Sequence, residues 1–259
     1  MLENLSHVQT AFVLSMTAAL ATGAGALPLV FFNRVSDKIT DFLMGFSAGV
    51  MLAASFFSLL IPSLEQFSSQ NTQAIGAMSA AIALLLGGFA VHGLHQILPH
   101  THITKSDDVI VNVKLSKTWL LIFAITFHNL PEGFAVGVGA GSYDPKLALS
   151  IATGISLQNI PEGLIVGLAL LSNGYSRSRS ILIAFLTGMV EPLCSALGYG
   201  FVTQVSSLLP WALSFAAGAM VYVISHEIIP ESHSRGYEKQ ATAGVLLGLV
   251  VMLILDRSF

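Results

Sequence analysis

Apolar stretches long enough to span a bilayer recur along the whole chain, at about residues 8–32, 41–64, 74–99, 117–141, 146–172, 178–202, 210–232 and 240–257. A membrane helix needs roughly 20 such residues, so the pattern predicts eight transmembrane helices in an all-α integral membrane protein. The polar breaks between them are short. Two carry turn chemistry, Ser172-Asn173-Gly174-Tyr175-Ser176-Arg177 and the run from Ser232 to Lys239. The sizeable break, residues 100–116, is too short for a second domain, so residues 1–259 are read as a single transmembrane domain.

Composition agrees: 54% of the 259 residues are hydrophobic and 10% charged, and the mean hydropathy is +0.76. No Lys or Arg precedes the first apolar run. It therefore lacks the basic start of a secretory signal and is expected to be a retained span. Basic residues set the orientation. With both termini outside, Arg34, Lys38, Lys105, Lys114, Lys117, Arg177, Arg179, Arg235 and Lys239 fall on inner loops, leaving Lys146 and Arg257 outside. A cell (inner) membrane location with extracytoplasmic termini follows as an expectation. A lipid bilayer is the expected surrounding, and a nucleic-acid partner is not expected.

Against this background two stretches are out of place. His128-Asn129-Leu130-Pro131-Glu132-Gly133 is echoed thirty positions later by Gln158-Asn159-Ile160-Pro161-Glu162-Gly163, both in apolar surroundings. A charge at the middle of a membrane helix costs roughly 2.5–3.5 kcal/mol on an insertion scale, so intramembrane carboxylates mark functional sites by default. Helical spacing puts His128 over Glu132 and Gln158 over Glu162, with Asn129 and Asn159 close by. Pro131 and Pro161 should bend their helices and free the carbonyls of Phe127 and Leu157. Unpaired backbone at membrane depth is tolerated only inside protein or along a cavity. Imidazole with carboxylate and amide oxygens suits zinc and its first-row neighbours better than calcium or magnesium.

The remaining polar residues fall into groups. Glu191, beside Pro192, is a third intramembrane carboxylate. Met51 is a gap filler or a soft thioether along a metal path. His92, His95, His100 and His102 suit transient metal capture, and equally an ordinary solvated segment. His226, Glu227, Glu231 and His233 end the seventh span as a solvated helix tail or as a second metal station. The single cysteine, Cys194, excludes an internal disulfide and a cysteine-cluster zinc site, and reads as a packing residue. Glycines following the paired motifs serve close packing or sliding.

An intramembrane metalloprotease is the competing reading. It needs a second histidine four residues after His226, and position 230 is proline, so no enzyme is expected. No phosphate-binding loop suggests an ATP-driven pump. A purely structural role for the two motifs leaves Glu132, Glu162 and Glu191 unbalanced. No Lys or Arg lies between Lys146 and Arg177 or between Arg179 and Arg235, so a ligand cation or protons must supply the charge.

The paired motifs, with Glu191 and His226-Glu227 following them, resemble the ZIP (Zrt-, Irt-like protein) family of divalent-metal transporters, and within it the bacterial GufA-like branch. That resemblance implies a 3+2+3 fold in which helices one to three and six to eight are inverted repeats around the fourth and fifth. It implies a midplane site, often binuclear, at His128, Asn129, Glu132, Gln158, Asn159, Glu162 and Glu191, with Met51 close by. An entrance near Ser58 and Glu65 and an inner exit near His95, His226 and Glu227 are also implied. So are a homodimer, zinc or another divalent transition metal as the bound substrate, and an elevator-like slide of helices one, four, five and six. Many members have His where this chain has Gln158, and some have Asp at Asn159. Both differences point to transport broader than zinc, reaching cadmium, iron and manganese.

The loop charges predict the labelling pattern of single cysteines in a Cys194→Ala background. Cysteines at Gln70 and Pro210 should react with an impermeant thiol reagent from outside intact cells, and those at Ser106 and Ser178 only after permeabilisation. Outside labelling at Ser106 rejects the arrangement.

Overall fold

A computed structural model describes residues 6–32, 34–70, 72–97 and 113–258, and within these the side chains of all but 70, 97, 113–125 and 206. The described residues form helices and no strand. Seven helical runs have the length and apolarity to cross a membrane: α1 (His7–Val30), α2 (Asp37–Ser69), α3 (Gln73–Gln96), α5 (Pro145–Ser172), α6 (Arg177–Gln204), α7 (Leu209–Ser232) and α8 (Glu238–Asp256). Between α3 and α5 lies α4 (Val113–Gly141), 29 residues long, on the remaining stretch expected to span. The chain is a multi-pass all-α membrane protein. The loop expected over 100–116 lies outside the described residues up to 112, and its last positions already belong to α4.

Local chemistry sets where the helices start and where they deform. Ser6 and Gln9 form a reciprocal cap at the start of α1, and Asp144 accepts from the Lys146 and Leu147 backbone N–H groups ahead of α5. Pro131 and Pro161 lie inside α4 and α5 without ending them. In α6 the helix is interrupted at Met189, three residues before Pro192, which cannot donate to the Gly188 carbonyl. α2 and α7 widen into π-helical segments, Ala54–Leu60 and Ile224–Ile228. Each is followed by an Ile-Pro pair, Ile61-Pro62 and Ile229-Pro230. A proline ring crowds the carbonyl four residues earlier, and the wider turn gives it room.

Packing follows an internal symmetry. α2 lies along α8 as α7 lies along α3, and α1 lies along α5 as α6 lies along α4. Exchanging α1–α3 with α6–α8, and α4 with α5, maps these pairs onto one another. The match extends to single residues. Gly49 backs onto the Val245 carbonyl and Gly218 onto the Leu84 carbonyl, while Gly248 meets the Phe46 carbonyl and Gly87 the Phe215 carbonyl. Gly163 meets the Thr22 carbonyl as Gly133 meets that of Glu191. The glycines set helix separation, because lipid supplies no hydrophobic drive and close backbone approach supplies the dispersion energy instead.

These contacts predict a sharp contrast between glycines. Gly218→Val drives a side chain into the α3 backbone and should cost about 1–3 kcal/mol or more, seen as loss of monodisperse protein or a lower thermal midpoint in detergent. Gly200→Ala, where a Cβ meets nothing within 4 Å, should be near neutral.

Candidate metal site and its flanking stations

The Asn and Gln residues of the two motifs organise the centre of the helix bundle. Gln158 and Asn159, adjacent on α5, point to different neighbours. Gln158 donates through Nε2 to Glu132 Oε1 on α4 at 2.7 Å, and Asn159 donates through Nδ2 to Glu191 Oε1 on α6 at 2.8 Å and to the Ala18 carbonyl on α1 at 3.0 Å. A carboxylate only accepts, so both amides turn their nitrogens toward it. Asn129 Nδ2 donates to the Thr187 carbonyl at 2.9 Å, one of the last carbonyls before the break in α6.

Turning the nitrogens inward leaves the oxygens over. Glu132 Oε2, Gln158 Oε1, Asn159 Oδ1 and Glu191 Oε2 are all shielded from solvent and accept no hydrogen bond among the described residues. The four side chains that carry them are fully buried. A buried acceptor left without a donor costs about 1–3 kcal/mol, so four such atoms around two carboxylates form an arrangement suited to a cation. Met51, also fully buried, lies in the same apolar cluster as Ala135, Ile155 and Met220.

Glu162 and His128 take their hydrogen bonds from other helices. Glu162 accepts from Ser47 Oγ on α2 at 2.6 Å. His128 Nε2 pairs closely with Glu227 Oε2 on α7, and the other Glu227 oxygen lies 3.2 Å from His95 Nε2 on α3. The ring of His95 meets that of His226 edge to face at 5.1 Å. His128 thus belongs to a cluster with His95, His226 and Glu227. Among the described residues no three His, Cys, Asp or Glu side chains stand close enough together to hold one ion. The paired motifs contribute carboxylate and amide oxygens to the centre and an imidazole to that cluster.

The expected entrance residues separate. Ser58 is buried and donates to Asp256 Oδ1 at 2.8 Å, which also accepts from Ser150 Oγ on α5 at 2.7 Å. Glu65 is exposed. Glu231 pairs with Arg235, which also donates to Asp41 at 3.1 Å. His92 is bonded to Tyr222, and His100 and His102 lie outside the described residues.

A membrane helix bundle whose central carboxylates are held by amides, with no lysine or arginine paired to them among the described residues, is an architecture suited to carrying cations. The comparisons agree. A family model described as ZIP zinc transporter matches residues 99–256. Zinc transporter GufA of Myxococcus xanthus is 44% identical over 247 residues, covering 95% of this chain and 97% of the relative. Zinc transporter ZIPB of Bordetella bronchiseptica is 37% identical over 257 residues, covering 99% and 83%. Zinc transporter ZIP11 of Homo sapiens is 32% identical over 338 aligned residues, covering 99% of each. The chain belongs to the ZIP zinc transporter family.

Several polar side chains at these stations escape a reading of the sequence. Asp256 stands eight residues after Gly248, as His95 stands eight after Gly87, and Ser58 and Glu227 each stand twelve after Phe46 and Phe215. The Ser58–Asp256 bond is therefore the repeat counterpart of the Glu227–His95 pair. The recurring Phe-x-Ala-Gly-x-Met at 46–51 and 215–220 is the signal that exposes it. The Asp41–Arg235 pair leaves no such trace. Asp41 is fully buried and also accepts from the Tyr237 backbone N–H at 3.3 Å.

Arg235→Ala strands the Asp41 carboxylate and should destabilise the protein by about 3 kcal/mol, measured by chemical unfolding in detergent. The Asp41→Ala/Arg235→Ala double variant should recover part of that loss.

Proposed function

We propose that this protein carries divalent transition metal ions, zinc foremost, into the cytoplasm through a midplane site. Glu132, Glu162, Glu191, Gln158, Asn159 and Asn129 are its ligand set, with His128 at its inner edge. The single observation behind this reading is the set of four buried acceptor oxygens, from Glu132, Gln158, Asn159 and Glu191, that have no donor among the described residues. A divalent cation satisfies all four and supplies the positive charge that the surrounding sequence lacks. The relatives' shared description as zinc transporters supports zinc as the substrate. The amide groups of Gln158 and Asn159, neutral oxygen donors, extend the range to cadmium, iron and manganese.

Helix packing supports an elevator-type movement. α1, α4, α5 and α6 pack mainly on one another, and α2 with α8 and α3 with α7 form the other group. The paired motifs and Glu191 all ride on the first group. Metal enters past Ser58, Glu65 and Met51, and leaves past His95, His226 and Glu227, with Glu231 beyond. α4 is the eighth crossing, both termini are extracytoplasmic, and the protein works as a homodimer in the cell membrane. It acts as a transporter and not as an enzyme, since Pro230 occupies the position a metalloprotease histidine needs.

Uptake by proteoliposomes, with zinc competed by cadmium, iron and manganese, tests the activity and its range. Glu132→Ala and Glu162→Ala should each abolish or severely reduce zinc uptake while the protein still inserts. Glu191→Ala should reduce it less, and Gln158→His should tighten zinc binding by adding an imidazole. Wild-type uptake by either of the first two variants rejects the site.

A further inference from the structure

Serines within these helices satisfy their hydroxyl either on their own backbone or across to a neighbouring helix, as Ser58 and Ser63 do. Ser15, Ser55 and Ser156 each donate to the carbonyl four residues earlier, at 2.8, 2.8 and 2.7 Å. That back-bond is one common fate of a mid-helix serine. Ser47 takes the other course, and its partner is a carboxylate of the paired motifs. Its Oγ reaches across from α2 to α5, to Glu162 Oε1 at 2.6 Å, and lies 3.3 Å from the Gln158 carbonyl one turn earlier on the same helix.

The mount behind Ser47 is stiff. Gly45 and Gly49 bring α2 against the α8 backbone at Ala241 and Val245, and Gly244 and Gly248 return the contact at Phe42 and Phe46. Ser47 lies two residues from Gly45 and from Gly49, about 200° around the helix from each. One face of α2 is therefore locked to α8 while the opposite face presents the hydroxyl to α5. Ser47 is fully buried, so no water competes for its proton. Its repeat counterpart on α7, one residue after Phe215, is Ala216, which has no hydroxyl to offer. The device is confined to the Glu162 side.

We propose that Ser47 is a positioning residue for metal binding: it holds one oxygen of Glu162 and so orients the carboxylate toward the metal. This rests on the reading of Glu162 as a ligand. Hydrogen bonds from neighbouring groups fix the orientation of metal-binding carboxylates, and losing one costs about 10–100-fold in metal affinity. A group that orients a ligand without touching the metal contributes to binding more than to turnover, so its loss raises KM and spares kcat.

Zinc uptake by proteoliposomes and zinc titration calorimetry in detergent are compared for wild type, Ser47→Ala, Ser47→Thr and Glu162→Ala. Ser47→Ala should raise KM and the calorimetric Kd about tenfold with kcat changed less than twofold, and Ser47→Thr should restore most of the affinity. Should Ser47→Ala fail to insert, Ser47→Cys, of similar size and a weaker donor, is held to the same expectation. Unchanged KM and Kd in the serine variants overturn the assignment, as does a fall in kcat alone, which marks a packing role. Glu162→Ala separates the two readings. If it is inactive while Ser47→Ala is normal, only the role of Ser47 fails, whereas wild-type uptake by Glu162→Ala removes the ligand and the positioning residue together.

Discussion

Two neighbouring amides on α5 hold the centre of this protein together. Gln158 and Asn159 each donate to a buried carboxylate on a different helix, Glu132 on α4 and Glu191 on α6. Among the described residues no lysine or arginine pairs with them. An amide donor offers a weaker bond than a charge-assisted pair. It also leaves its own oxygen, and the second oxygen of the carboxylate, without a donor among the described residues. One set of contacts thus keeps carboxylates inside the bundle and leaves acceptor oxygens beside them, the feature on which the proposed cation site rests.

The internal repeat explains where the rest of the polar chemistry lies. Matching glycine-to-carbonyl contacts join α2 to α8 and α7 to α3, and they carry Ser58 beside Asp256 and Glu227 beside His95. Each of these pairs also reaches a helix of the other group, through Ser150 on α5 and through His128 on α4. With the Ser47–Glu162 bond, these are polar ties across the boundary between the two helix groups. They bond the groups in one alignment, and a slide of one group past the other must exchange them for others. The repeat is not exact in chemistry. Thr22 stands where Glu191 stands and Ala216 where Ser47 stands, so the two sides of the centre differ in charge and in hydrogen bonding.

Much of this was legible in the chain. The spans could be read because a helix in lipid must be apolar over its whole length. Glu132, Glu162 and Glu191 stood out because charge is costly there. The prolines marked places where helices deform, yet the form differed from case to case. Pro131 and Pro161 are carried within continuous helices, whereas Pro62 and Pro230 follow π-helical turns and Pro192 follows a break. A proline removes the same hydrogen bond at each position, and neighbouring helices decide how the chain absorbs the loss.

The sequence by itself determined the all-α membrane class and the identity of the central carboxylates, since both follow from the free energy of placing a residue type in hydrocarbon. It also held the repeat, written in Phe-x-Ala-Gly-x-Met at two places. Only the tertiary structure decided which side chains meet. His128 shares a helix face with Glu132 yet pairs with Glu227, and Ser47, one small residue among several, turns to Glu162. Asp41 and Arg235 lie 194 positions apart and join near the start of α2. Spacing along one helix fixes only which residues share a face. What faces them depends on how closely the glycines let neighbouring helices approach, a property of pairs of helices that one stretch of sequence does not contain.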